Sequence, residues 1–130
     1  GYGLMSPALV QHIIDIKSPY NLSVTSEAAL VASLQEAPAL MTEVNWIVAE
    51  RNRMFGLLSD MPGVSPSPSS GNFILCRFAP GRVEAIYDGL AQKGIFVRKF
   101  GSPRLADHFR VSVGTAEQTD RFVGTMKELV

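Results

Sequence analysis

The sequence is poor in cysteine and in excess charge, and each shortage excludes a class of protein. Cys76 is the only cysteine among 130 residues, so no internal disulfide can form and we expect a reducing compartment, the cytoplasm. One cysteine and two separated histidines provide no metal-ligand set, so we expect no metal site. Twelve basic residues balance twelve acidic ones, so bulk charge would not attract nucleic acid. No apolar run reaches the ~20 residues that a membrane helix needs.

Apolar residues recur at helical spacing through the first 60 residues and predict three helices. The first covers residues 6–17 and is capped by Ser6, and the second begins at Thr25 or Ser26 and is interrupted by Pro38. A long third helix follows, with Glu50, Arg51 and Arg53 predicted nearer the water. Along one face of this helix the sequence places Leu40, Val44, Ile47, Val48, Arg51, Phe55 and Leu58.

The second half of the chain has a different pattern. It predicts strands over 72–78, 95–99 and 108–113, and helices over 82–93 and from 115 to the end. Gly94 would end the first of these helices, and a capping box of Thr115 and Gln118 would begin the second. Two prolines leave residues 64–71 as an edge strand at most.

This order, β-α-β-β-α, predicts an α+β fold whose helices cover one face of the sheet, preceded by a long linking helix. We therefore divide the chain into residues 1–60 and a small α/β domain of residues 61–130.

Two arginines lie on neighbouring predicted strands. Alternation along 108–113 puts Phe109 on one face and Arg110 on the other, and the same alternation separates Val97 from Arg98. If the apolar faces meet the helices, both arginines project from the opposite side of the sheet. Arginine grips carboxylates and phosphates with paired N–H donors, so the pattern suggests an anion site. Taken alone, however, two arginines on strand faces are more often ordinary surface residues.

Four segments add a family to this pattern. They are Gly1-Tyr2-Gly3, Pro19-Tyr20-Asn21-Leu22-Ser23, Pro68-Ser69-Ser70-Gly71-Asn72-Phe73, and Gly94-Ile95-Phe96-Val97-Arg98 leading to Phe109-Arg110-Val111-Ser112-Val113-Gly114-Thr115. In this order and spacing the chain resembles the C-terminal portion of the histidinol-phosphate aminotransferases. These are fold-type I, class II enzymes that use pyridoxal phosphate.

The resemblance implies roles for particular residues. Arg110 would hold the α-carboxylate of the substrate, Arg98 would lie in the same substrate site, and Tyr20 would run near it. The small domain would be that of a pyridoxal-phosphate-dependent transferase, and residues 1–60 would be a remnant of the large domain plus the interdomain linking helix. The complete enzyme would be a homodimer. It would transfer an amino group between glutamate and imidazole acetol phosphate, a small phosphorylated substrate, in histidine biosynthesis.

The resemblance also implies what this chain lacks. In the family, the lysine that forms the Schiff base with pyridoxal phosphate lies upstream of the segment matching Gly1-Tyr2-Gly3. Lys17, Lys93, Lys99 and Lys127 fall outside that motif, so we expect no catalytic lysine, no covalently bound cofactor and no activity of the chain alone. We also expect the apolar faces of the first 60 residues to promote self-association.

Two other interpretations stay open at the level of sequence. The chain could belong to a related aromatic or amino-acid-phosphate aminotransferase or decarboxylase, which would share Arg110. It could also be a non-catalytic ligand-binding or interaction domain.

Overall fold

A computed structural model describes residues 3–130, which form two compact units. One unit ends at Leu40 and the other covers Met41–Val130. Gly1 and Tyr2 of the first predicted motif lie outside the described residues. Among the described residues, no helix is both long enough and apolar enough to cross a membrane.

The first unit contains helices α1 (Pro7–Ile16) and α2 (Val24–Gln35). The predicted first helix is confirmed, with Pro7 in its first turn and the Ser6 hydroxyl accepting from the Leu9 N–H. The predicted start of α2, at Thr25 or Ser26, is one or two residues late. Ser23 has extended backbone dihedrals and accepts from the Ser26 N–H at 3.1 Å, so the helix begins earlier than Thr25.

Helix α3 (Ala37–Ser59) is the predicted long helix, but its buried stripe differs from the predicted one. Its buried residues are Glu50, Met54 and Leu58, spaced four apart, whereas Leu40 and Val44 are exposed. The predicted exposure of Glu50 is therefore wrong.

The partner of Glu50 explains its burial. Arg53 lies 2.8 Å from the Glu50 carboxylate and 2.7 Å from Asp120, and its guanidinium also donates to the Ala116 carbonyl. A carboxylate can be buried where an arginine supplies both its countercharge and its hydrogen bonds. Arg53 thereby joins α3 to the segment around Ala116–Asp120.

The sheet has four antiparallel strands in the order β1-β2-β4-β3. They are β1 (Ser65–Ser67), β2 (Phe73–Arg77), β3 (Arg98–Lys99) and β4 (His108–Ser112). The proline-containing segment forms the edge strand β1, as its composition allowed. Strand β3 is shorter than the predicted 95–99. The Ile95 N–H donates to the Leu90 carbonyl at 2.9 Å, so Ile95 ends the preceding helix instead of pairing in the sheet.

Helices α4 (Val83–Gln92) and α5 (Ala116–Leu129) cover one face of this sheet, which confirms the predicted α+β fold. Gly94 has a φ of +72°, the left-handed value expected after a helix, and the capping box of Thr115 and Gln118 is formed. Phe109 lies at the centre of the core, with its ring 4.8 Å from that of Phe78 and 6.3 Å from that of Phe122. The buried residues of the sheet face are Ile74, Cys76, Phe109 and Val111.

The unit that contains the sheet begins at Met41, twenty residues before the boundary expected from the sequence. The second half of α3 belongs to it because Met54 and Leu58 are part of the same core. That residues 1–60 derive from a large domain stays a prediction.

Truncating the buried stripe of α3 tests this assignment. Leu58→Ala should lower the free energy of unfolding by about 2–5 kcal/mol, because Leu58 is 0% exposed. Leu40→Ala, on the same helix but 46% exposed, should change it by less than about 0.5 kcal/mol. Urea denaturation followed by fluorescence measures both. Equal losses would contradict the position of α3 in the core.

The buried carboxylate predicts a pH dependence. Hydrogen bonds from Arg53 lower the pKa of Glu50 below its usual range, with burial opposing them. The unfolded chain therefore binds more protons at this site, and the stabilisation is present above the unfolded pKa, about 4.3, and is lost as the pH falls through the lower folded value. Glu50→Gln should flatten the acid limb of a stability profile between pH 6 and 2. Glu43→Gln, exposed on the same helix, should leave that limb as it is.

Candidate functional site

Arg98 and Arg110 are direct cross-strand neighbours. The antiparallel pairing of β3 with β4 sets Arg98 opposite Arg110 and Lys99 opposite Phe109. Because Phe109 is fully buried against the helices, both arginines lie on the other face of the sheet. The predicted common face is therefore confirmed, while the role of the two arginines in binding stays a prediction.

Both charges lack a carboxylate partner within residues 3–130. The ion pairs of this part of the chain involve Arg53, Lys93 and Lys99, and neither Arg98 nor Arg110. The four strands contain no acidic residue. Like charges at directly opposite positions destabilise a strand pair, so an anion bound on this face would offset the cost of pairing Arg98 with Arg110.

Each arginine lies against an aromatic ring. The Arg110 Cζ is 4.9 Å from the centre of the Phe73 ring, and the Arg98 Cζ is 5.7 Å from that of Phe100. The Nε of Arg110 is buried and has no hydrogen-bond partner among the described residues. A carboxylate would therefore reach Arg110 through its two terminal nitrogens, which can grip both oxygens.

Phe73 contacts Arg110 in this candidate site, although it was not among the site residues predicted from the sequence. Its alternation with Ile74 and Cys76 was a usable signal, since those two buried residues place Phe73 on the face of Arg110. The register was the missing information. Only the pairing of Leu75 with Arg110 and of Phe73 with Ser112 brings the ring diagonally next to the guanidinium.

The other predicted site residue, Tyr20, is 91% exposed in the turn between α1 and α2. It belongs to the unit that ends at Leu40, whereas both arginines belong to the other. Its proximity to substrate stays a prediction.

The reactive side chains near the sheet lie away from the arginine face. Lys99 pairs with Glu84 of α4, and that hydrogen bond raises the pKa of Lys99. Lys93 pairs with Glu128 at 3.7 Å. Burial raises the pKa of the Cys76 thiol to about 12, which makes it a packing residue rather than a nucleophile. Within residues 3–130, no group of three His, Cys, Asp or Glu side chains is arranged to hold a metal ion.

Comparison with known proteins gives a consistent result. The family model for aminotransferase class I and II matches residues 1–126. Histidinol-phosphate aminotransferase of Roseiflexus castenholzii is 42% identical over 132 residues, covering 99% of this chain and 36% of the relative. Histidinol-phosphate aminotransferase 1, chloroplastic, of Arabidopsis thaliana is 36% identical, covering 98% and 31%. The chain thus spans about a third of the length of these relatives.

Solved structures of other proteins also resemble this chain over nearly its whole length. The histidinol-phosphate aminotransferase of Sinorhizobium meliloti, in complex with pyridoxal-5'-phosphate, has a TM-score of 0.74 at 26% identity, over 95% of this chain and 34% of that one. A putative aminotransferase of Burkholderia pseudomallei has a TM-score of 0.79 at 27% identity, over 93% and 37%.

The unpaired arginines predict anion binding by the chain itself. Inorganic phosphate should raise the thermal unfolding midpoint of the unaltered chain, because a ligand that binds only the folded state stabilises it by mass action. Arg98→Met and Arg110→Met should each lose most of this increase. Phosphate also stabilises proteins generally, so Arg104→Met, an exposed arginine outside the strands, is the control and should keep the full increase. Equal increases in all four proteins would contradict the site.

Proposed function

The chain belongs to the class I and II aminotransferase family, and we propose that it is the C-terminal part of a histidinol-phosphate aminotransferase. The complete enzyme would transfer an amino group between glutamate and imidazole acetol phosphate in histidine biosynthesis. The observation that carries the proposal is the pair of unpartnered arginines, Arg98 and Arg110, on a sheet face without acidic residues.

Arg110 would bind the α-carboxylate of the amino-acid substrate. Its terminal nitrogens form a planar fork, and two parallel hydrogen bonds to a carboxylate fix both the position and the rotation of the bound group. Fixing the carboxylate also fixes the direction of the neighbouring Cα–H bond, which is the bond that transamination breaks. Arg98 would add a second positive charge for an anionic, phosphorylated substrate, and Tyr20 would be a further substrate-binding residue.

Pyridoxal phosphate would be the cofactor of the complete enzyme, where it supplies an electron sink for the carbanion at Cα. The lysines of this chain fall outside the family's lysine motif, so we expect none of them to be the covalent anchor. Lys99 is paired with Glu84, on the helix side of the sheet, and Lys93 is paired with Glu128. The contribution of this chain would therefore be to bind and orient the substrate.

The assembly and location of the complete enzyme are also part of the proposal. We expect a homodimer in the cytoplasm. Exposed apolar side chains along the helices of the first unit, among them Ile14, Leu30 and Leu34, support an interface with further protein. The single buried cysteine agrees with a reducing compartment.

The alternatives are separated by simple observations. A decarboxylase of Sulfurospirillum multivorans and an L-threonine-O-3-phosphate decarboxylase of Porphyromonas gingivalis share the fold at 20% and 13% identity, and so support no particular reaction. A substrate panel on the complete enzyme would discriminate among these reactions. The encoding reading frame tests the alternative of a non-catalytic domain. A Ser/Thr-x-x-Lys cofactor segment encoded just upstream of Gly1 would exclude that alternative.

Substitution of Arg110 in the complete enzyme tests the proposed role. Arg110→Lys keeps the charge but removes the fork, so kcat/KM for histidinol phosphate should fall by about 10- to 150-fold, the range that a lost hydrogen bond to a charged group allows. Arg104→Lys is the matched control and should retain full activity. An enzyme unaffected by Arg110→Lys would contradict a carboxylate-binding role.

The 130-residue chain alone should not bind pyridoxal phosphate covalently. After it is mixed with pyridoxal phosphate and reduced with borohydride, no adduct should be found at one specific lysine.

A further inference from the structure

We propose that Phe73 is the positioning residue of the Arg110 carboxylate clamp, and that Gly71 is required because it leaves room for the Phe73 ring. The inference rests on the proposed function, since it explains how this arginine is held ready for its ligand. It adds Gly71, which lies just before β2, and Phe73, the first residue of β2, to a site otherwise formed by β3 and β4.

The ring is the contact that orients Arg110. The Arg110 Cζ lies 4.9 Å from the centre of the Phe73 ring, within the range of a cation–π interaction. In the register of β2 with β4, Phe73 pairs with Ser112 and so lies diagonally beside Arg110 on the same face. The position is therefore a consequence of strand pairing, and an aliphatic residue there would offer no π face.

No polar group shares this task. Among the described residues, Arg110 takes part in no ion pair, and its buried Nε has no hydrogen-bond partner. A long side chain without such restraints samples many rotamers, and ordering it on binding costs about 0.5–1.5 kcal/mol. The Phe73 ring would reduce this cost by restricting the guanidinium before the carboxylate arrives.

Gly71 supports the ring by its lack of a side chain. A Cβ at this position would lie 2.9 Å from Cε1 and 3.3 Å from Cδ1 of Phe73, too close for the ring to stay where it is. The backbone is less able to move, because the Gly71 carbonyl accepts from Arg51 and its N–H donates to Ser69. A methyl group at Gly71 would therefore displace the ring and leave the strand in place.

The test combines binding and NMR on the 130-residue chain, with glutarate as the carboxylate probe. Phe73→Leu should weaken glutarate binding about 2- to 30-fold, the equivalent of a cation–π contact. It should also remove the ring-current shift of the Arg110 Nε–H resonance. Phe73→Tyr, which keeps the π face, should retain both the glutarate affinity and the ring-current shift of the unaltered chain. Gly71→Ala should act in the same direction as Phe73→Leu.

Controls separate this inference from the proposed function and from loss of folding. Phe96→Leu changes a phenylalanine that is 82% exposed and should alter neither readout. If Arg110→Met abolishes glutarate binding while Phe73→Leu and Gly71→Ala behave like Phe96→Leu, the positioning role is wrong and the clamp stands. If Arg110→Met binds glutarate like the unaltered chain, the proposed function fails. If Phe73→Leu does not fold, the other two variants test the positioning role: Gly71→Ala should weaken glutarate binding and Phe73→Tyr should not. If neither variant behaves in this way, the inference is wrong.

Discussion

The pairing of β4 with its two neighbours is the constraint on which the rest of this unit depends. β4 supplies Phe109 to the core, where it contacts Phe78 and Phe122. Because side chains alternate along a strand, burying Phe109 forces Arg110 to the opposite face. The pairing with β3 then places Arg98 directly across, and the pairing with β2 brings Phe73 beside it. A shift of one residue in the pairing register of β4 would turn Arg110 into the core. The same register therefore determines both the packing of the core and the geometry of the site.

The site is costly to the isolated chain. Arg98 and Arg110 are opposite each other in the strand pairing without a carboxylate partner among the described residues, and the buried Nε of Arg110 has no hydrogen-bond partner there. Such an arrangement resembles a binding site that awaits an anion. Since the chain spans about a third of its curated relatives, the remaining parts of the proposed site would come from protein that this chain does not include.

The sequence allowed much of this to be predicted where local chemistry determines the structure. Gly94, the capping box at Thr115 and the alternation around Phe109 each act within a few residues, and all three appear as expected. Predictions failed where a hydrogen-bond partner decides, because the spacing of apolar residues does not reveal such partners. Glu50 is buried because Arg53, which also pairs with Asp120, supplies its countercharge, and Ile95 leaves the sheet because its N–H donates to the Leu90 carbonyl. The contact of Phe73 with Arg110 depends on strand register, which no single strand encodes.

A crystal structure of the complete enzyme with a bound amino-acid substrate would test the carboxylate-binding role of Arg110 most directly. Both oxygens of the substrate's α-carboxylate should lie about 2.7–2.9 Å from the terminal nitrogens of Arg110, with the Phe73 ring still against its guanidinium. A carboxylate held by other residues, with Arg110 turned away from it, would show that Arg110 does not have this role.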